Sequence, residues 1–295
     1  MVQIPLLILL AILILFICTT IFVKTRKASR FGCRRDYKVK YVFCAGHGIR
    51  TDGRWINDFF DHMRNKHEKY KNSKETVFIP MRYGFLLASL CVWRLVRSHL
   101  IYWMERRLAL YCQMYPAASI NYIGHSYGTM LAFEAAKRSD TIQIDKMILV
   151  ASIVSSHEIF DDTLGLGKIG ELHCYCSKDD PMCKSNPFGH SGYWGFLRND
   201  DRTCYDKPFD DLEVYNHPKN GYGHSDYFKK NDCLNEWVGI LSPEKLGQPV
   251  SAESWLCPFI AGGPTIRPMC VRKACMFFDT ENKTCLLVKS ISKQK

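Results

Sequence analysis

The chain has 295 residues, 47% of them hydrophobic and 13% aromatic, with 14 cysteines. That content can bury one large core, or a core plus a small module, and excludes a disordered chain. The net charge of +11 suggests nucleic acid at first, but eight basic residues against one acid between Lys24 and Lys40 supply +7 of it, so the excess is a local collar and no nucleic-acid partner is expected.

The run from Ile4 to Val23 carries no charged residue, and about 20 such residues span a hydrocarbon core as a helix. A cleaved signal peptide is the competing reading. The length of the run, the lack of a basic residue ahead of it and the lack of an Ala-x-Ala-like site after it favour a transmembrane anchor over residues 1–23. The basic juxtamembrane segment, residues 24–37, then holds its side in the cytoplasm and leaves the short N-terminus outside. It would also lie against anionic headgroups, so the bilayer is an expected partner.

From residue 38 short apolar runs alternate with helical stretches. Strands are expected at Val39–Cys44, Thr76–Met81, Ile120–Ile123, Lys146–Ala151, Glu171–Cys176 and Leu212–Tyr215. Helices are expected at Trp55–His67, Leu87–Tyr115, Gly128–Lys137 and Asp226–Leu241. This is the pattern of an α/β domain, a mostly parallel sheet with helices on both faces. The stretch around Trp93, Tyr102 and Trp103 interleaves them with Arg94, Arg97, Arg106 and Arg107. It reads either as an amphipathic helix packed on the sheet or as a surface lying on the bilayer. Near Ser242 the composition changes, giving a central domain over 38–241, a linker over 242–254 and a cysteine-bearing tail over 255–295.

Within the domain, Gly124-His125-Ser126-Tyr127-Gly128 follows a strand and opens a helix. Ser126 would then sit on a sharp turn that exposes its hydroxyl, with glycines where side chains would collide with neighbouring backbone. A serine needs a base to take its proton. His224, in Gly221-Tyr222-Gly223-His224-Ser225-Asp226, follows the last strand and is the expected base; His217, ending that strand, is the alternative. His125 is expected to point away from the serine. The acid that orients the imidazole should follow the preceding strand, where Asp179 and Asp180 are neighbours and the Asp180-Pro181 turn favours Asp180. Two backbone donors for a developing oxyanion are expected at Tyr127 and, after Cys44-Ala45-Gly46-His47-Gly48, at Ile49.

Taken together, the His47-Gly48 loop, the Gly-His-Ser-Tyr-Gly turn, Asp180 after a strand and Gly-His-Ser-Asp near the domain's end resemble the α/β-hydrolase superfamily over roughly residues 38 to 241. The segment His47-Gly48-Ile49-Arg50-Thr51-Asp52-Gly53-Arg54-Trp55, followed by Arg82-Tyr83-Gly84-Phe85, is also similar to a less characterised group of bacterial membrane-anchored proteins of that kind. The resemblance implies acyl-serine chemistry on an ester, thioester or amide and leaves the substrate unnamed. The sheet lacks the two N-terminal strands of larger members, and Met182–Lys207, with Gly192, Trp194, Gly195 and Phe196, is expected to be a flexible aromatic loop covering the site.

In the tail, Cys257, Cys270, Cys275 and Cys285 would hold zinc or an iron–sulfur cluster, disulfides and free thiols being the alternatives. Cys275 and Cys285 are equidistant from Thr280 in an expected hairpin and would face each other. The expectation is therefore a single-pass membrane serine hydrolase, its domain on the cytoplasmic side, that needs no catalytic cofactor and acts on a small-molecule or lipid acyl substrate. Its competitors are a non-catalytic tethered binding or sensing module and a serine peptidase. A retired site would have no need of all three of Ser126, Asp180 and His224.

Overall fold

The computed structural model describes residues 35–49, 51, 53–72, 74–84, 92–158, 168–197, 213–245, 278–279 and 284–285. Two strands, β1 (Tyr41–Gly46) and β3 (Ser119–His125), are buried at every position. The apolar run of β1 suits a central parallel strand covered on both faces, while β3 buries Ser119, Asn121 and His125 among its apolar residues. Flanking them are β2 (Thr76–Met81), β4 (Ile144–Val150), β5 (Ile169–Cys176) and β6 (Glu213–Pro218), in the order β2-β1-β3-β4-β5-β6, every pair parallel. The edge strand β6 exposes part of its length.

Helix α1 (Arg54–Lys66) buries Ile56, Phe59, Phe60 and Met63, the spacing of one helical face. Helix α2 (Arg94–Met114) packs Val96, Leu100, Trp103, Met104 and Leu108 into the core and leaves Leu95 and Tyr102 exposed on its other side. Helix α3 (Tyr127–Arg138) shares a core with α2 and with Val42, Cys44, Tyr122 and Leu149 on one face of the sheet. On the other face α1 packs with Phe43, Ile123, Ile148, Tyr175 and Trp237. Trp237 belongs to α6 (Asn231–Ile240), which follows the short helices α4 (Pro181–Lys184) and α5 (Ser191–Trp194). The expected helix from Asp226 is instead a 3-10 turn, Asp226–Phe228, followed by α6. Asp226 accepts hydrogen bonds from Gly223 N–H and Lys229 Nζ, which ties that turn to the preceding loop.

The sheet is consistent with the α/β-hydrolase fold. The two further N-terminal strands of larger members have no counterpart among the described residues. After β1 the chain adds β2 on one side, then crosses to place β3 on the other. Such a reversal opens a crevice at the carboxyl ends of β1 and β3, where ligands of open α/β sheets bind. Among the described residues no helix is long and apolar enough to cross a membrane; the Ile4–Val23 run and its basic collar up to Arg34 lie outside them.

In the tail, β7 (Phe278–Asp279) pairs antiparallel with β8 (Thr284–Cys285), with Phe278 opposite Cys285. The residue opposite Cys285 is thus Phe278, where Cys275 was expected. Cys257, Cys270 and Cys275 lie outside the described residues.

Candidate active site

The turn after β3 is a strained one. Ser126 has φ 53° and ψ −120°, a conformation that L-residues rarely adopt and that costs on the order of 1–3 kcal/mol. It is held by Ser126 N–H donating to Val150 O at 3.0 Å and by Thr129, whose N–H and hydroxyl both donate to Ser126 O. A Cβ on Gly128 would lie 2.6 Å from His47 O and 2.8 Å from Gly46 O, and one on Gly124 would lie 2.8 Å from the Tyr122 ring. Only glycine lets the helix start sit so close to the loop after β1. That loop in turn approaches the serine, since a Cβ on Gly48 would be 3.0 Å from Ser126 Cβ. The His47 ring, stacked on Tyr83 at 4.2 Å, donates from Nδ1 to Gly48 O, and Tyr83 Oη donates to His47 O. Tyr127 is the first residue of α3, and Ile49, half-buried, packs against the core.

Three of the expected residues meet. His224 Nε2 lies 2.9 Å from Ser126 Oγ, and His224 Nδ1 lies 2.8 Å from Asp180 Oδ2. Asp180 is fully buried. It caps the short helix α4 (Pro181–Lys184), its Oδ1 accepting from Met182 N–H at 2.9 Å and Cys183 N–H at 3.1 Å. Oδ1 is thus committed to backbone, and Oδ2 is aimed at the imidazole. Burial alone would raise the Asp180 carboxyl. Hydrogen bonds from His224 and Cys183, together with the charge of His224, outweigh that and hold it below the usual carboxylate range. The network assigns the Nδ1–H tautomer to His224, which leaves Nε2 to accept the serine proton.

The other candidates have different places. Asp179 accepts from Gly221 N–H, so it ties down the loop that carries His224 and does not touch the ring. His217 lies on the sheet, 3.1 Å from His173 and flat against Tyr175 at 4.4 Å. Burial and the neighbouring His173 lower it to about 4. His125 corrects its expectation: it turns toward the site, and its Nε2–H donates to His224 O at 2.9 Å. Burial, then the adjacent His224, pushes it down to about 3, so it is neutral at physiological pH.

The described part of the insertion after Asp180, as far as Leu197, is tied to the loop after β4 where a flexible loop was expected. Ser191 N–H donates to Val154 O, Gly192 N–H to Ser152 O and Leu197 N–H to Ser156 O, while Phe196 is buried against Phe133. Cβ atoms on Gly189 or Gly192 would lie 2.4 Å from backbone of the loop after β4. Those glycines serve close packing rather than motion. Residues 198–212 lie outside the described ones. Between the insertion and the loop after β4 is a cleft of about 400 Å³ lined by Ser155, Ser156, Phe188, Trp194 and Leu197 among others. Phe188 also packs on Tyr127, with ring centroids 6.2 Å apart.

Sequence reasoning missed three supports: Cys183 beside His224, the Asp179 tie and the His125 contact. Only the first had a signal. Asp180-Pro181-Met182-Cys183 reads as a cap, a proline at the first helical position and a third residue that folds back onto the cap.

No family model matches the chain, and no curated protein matches it. Solved structures that align with it include esterase PE8, at 16% identity over 70% of this chain and 94% of that one, with a TM-score of 0.43. The lin2722 product of Listeria innocua aligns at 12% identity over 71% and 97%, with a TM-score of 0.46. An S-formylglutathione hydrolase from Agrobacterium tumefaciens aligns at 13% over 72% and 86%, with a TM-score of 0.39. These TM-scores are low, so the fold is read from the sheet order and the elements that carry the site.

Proposed function

We propose that the chain is a membrane-anchored serine hydrolase that cleaves an ester, thioester or lipid-like acyl substrate through an acyl-serine intermediate. One observation carries this reading, the continuous hydrogen-bond chain Ser126 Oγ–His224–Asp180. In the reaction His224 Nε2 takes the Ser126 proton as Oγ attacks the acyl carbon. Asp180, kept ionised, stabilises the imidazolium without taking its proton. The N–H groups of Tyr127 and Ile49 receive the oxyanion, a contribution of roughly 3–4 kcal/mol per donor where such donors have been removed. His224 then protonates the leaving group, and water repeats the sequence to free the serine. The neutrality of His125 matters here, because a second positive charge beside the imidazolium would oppose its formation.

The membrane setting rests on the Ile4–Val23 run and the basic collar. It is supported by the start of α2, where Val92, Trp93 and Leu95 are 57%, 46% and 83% exposed, with Tyr102 at 54% and Arg94 and Arg106 beside them. Exposed aromatic and aliphatic side chains flanked by arginine suit an anionic bilayer interface. The cleft beside Phe188 suits an acyl or alcohol group. Zinc or an iron–sulfur cluster in the four-cysteine tail remains part of the proposal, separate from the chemistry at Ser126.

A fluorophosphonate probe on the full chain in detergent or native membranes tests the catalytic reading. Labelling of the wild type, lost in Ser126→Ala and His224→Ala, is expected. A folded wild type that does not label would refute it and leave the tethered binding module. A reporter fused to the C-terminus tests topology, with cytoplasmic signal expected and external signal overturning it.

A further inference from the structure

The Asp180–His224 contact has a third member that the reaction does not use. Cys183 Sγ lies 3.7 Å from His224 Nδ1 and 3.7 Å from Ser152 O. One donor atom each from Asp180, Cys183 and His224 lies within 4.8 Å of the other two. Asp180 and Cys183 are wholly buried, while the His224 side chain keeps 20% exposure. We propose that these three side chains form an inhibitory site for a thiophilic divalent cation, zinc being the best fit. Its effect on catalysis rests on the hydrolase reading above; the cation site itself does not.

Carboxylate, thiolate and imidazole are the ligand types zinc takes, whereas magnesium and calcium prefer oxygen alone. A tetrahedral zinc with bonds of about 2.0 Å to nitrogen and oxygen and about 2.3 Å to sulfur keeps its ligand atoms about 3.3–3.6 Å apart. The sulfur–nitrogen separation of 3.7 Å already fits. The Nδ1–Oδ2 separation of 2.8 Å must open by about 0.5 Å, a small rotation of the one partly exposed ring in the set. Oδ1 stays on its two backbone donors throughout, so the helix cap survives. A water or Ser152 O would complete the fourth position.

The balance of protons and charge favours occupancy. The thiol proton leaves to solvent, and the imidazole proton moves from Nδ1 to Nε2 as Nδ1 gives its lone pair to the metal. One dication, one thiolate and one carboxylate sum to zero, which a buried site tolerates far better than net charge. The catalytic consequence is direct. With hydrogen now on Nε2, the Ser126 hydroxyl faces a donor and has no acceptor for its proton.

The test measures fluorophosphonate labelling of Ser126 in the full chain with Zn²⁺, Cd²⁺ or Mg²⁺ added after chelator treatment, each variant normalised to its own metal-free rate. Zn²⁺ and Cd²⁺ are expected to suppress wild-type labelling reversibly with chelator, and Mg²⁺ is expected not to. Cys183→Ser and Cys183→Ala should raise the half-inhibiting zinc concentration at least about tenfold, since loss of even an outer-shell partner costs that much. A chain with Cys257, Cys270, Cys275 and Cys285 all changed to serine should keep wild-type inhibition, which separates this site from the tail. Equal inhibition in the wild type and the Cys183 variants, or suppression by Mg²⁺ as strong as by Zn²⁺, overturns the proposal. If neither Cys183 variant folds, the wild-type comparison of Cd²⁺ with Mg²⁺ decides, together with a cadmium–thiolate absorption band in the tail-substituted chain that grows as labelling falls. Absence of labelling before any metal is added refutes the hydrolase reading instead, and the same absorption band then tests the cation site alone.

Discussion

Asp180→Asn is nearly isosteric, and its outcome turns on which way the new amide faces. Met182 N–H and Cys183 N–H, at 2.9 and 3.1 Å from Oδ1, require an acceptor there. The amide carbonyl must therefore take that side, which turns the NH₂ toward His224 Nδ1, 2.8 Å away in the wild type. Facing a donor, Nδ1 gives up its hydrogen and Nε2 carries it toward Ser126, so the base is in the wrong tautomer. An Asp-to-Asn change with this effect lowers turnover about 10⁴-fold in a serine protease, equivalent to about 5.4 kcal/mol of barrier. Stability should change little, because asparagine caps a helix about as well as aspartate. Asp180→Ala, by contrast, loses the cap as well and should cost about 1–2 kcal/mol of stability. The assay pairs hydrolysis of a chromogenic acyl ester with thermal melting of the same preparations. Asparagine activity within tenfold of wild type would refute the tautomer reasoning. A drop in melting temperature as large as the alanine variant's would refute the assignment of the cap.

Gly128→Ala places a Cβ 2.6 Å from one backbone oxygen and 2.8 Å from another; neither can retreat like a flexible side chain, so a loss of about 1–3 kcal/mol is expected in denaturant melts. His125→Ala removes the donor to His224 O while leaving Ser126 and the acid in place, and should lower the labelling rate at least about tenfold, one hydrogen bond's worth of positioning. Acid should destabilise the fold before the carboxylates titrate. His125 and His217, lowered to about 3 and about 4, stay neutral when folded yet protonate near 6.5 when unfolded. Between about pH 4 and 6 the unfolded chain then binds up to two more protons, so stability falls with falling pH by at most about 2.7 kcal/mol per pH unit. Denaturant melts across that range check the slope, which His217→Phe should roughly halve.

The strands were legible because parallel, doubly covered strands are predominantly apolar, as Tyr41–Gly46 is; Ser119–His125 carries Ser119, Asn121 and His125 and was legible from its Ile120–Ile123 centre and the glycine turn that follows. Ser126 was legible because its flanking glycines answer a local backbone demand, visible in five residues. The meeting of Ser126, Asp180 and His224 followed from the strands each one trails. What escaped depends on distances across the chain. Gly192 suggested mobility, yet its role is close approach to a loop about forty residues earlier in sequence. Cys183 reaches His224 only because the cap winds it back onto Asp180, and His125 faces its partner through a loop 99 residues on. In the tail Phe278, and not Cys275, is opposite Cys285, because equal spacing of two cysteines from one residue does not by itself set a strand register.

The double duty of Asp180 bears on how such a site would decay. Its carboxylate finishes a helix as well as facing the imidazole, so drift that abandoned the reaction would still be held back there by the cost to folding. An aspartate surviving in a descendant chain would then be poor testimony that the descendant still works. The Ser126 hydroxyl faces His224 and stabilises no helix end, so it is the atom a lineage can discard most cheaply. Among variants of this chain, the serine is the residue that records whether chemistry is still being selected.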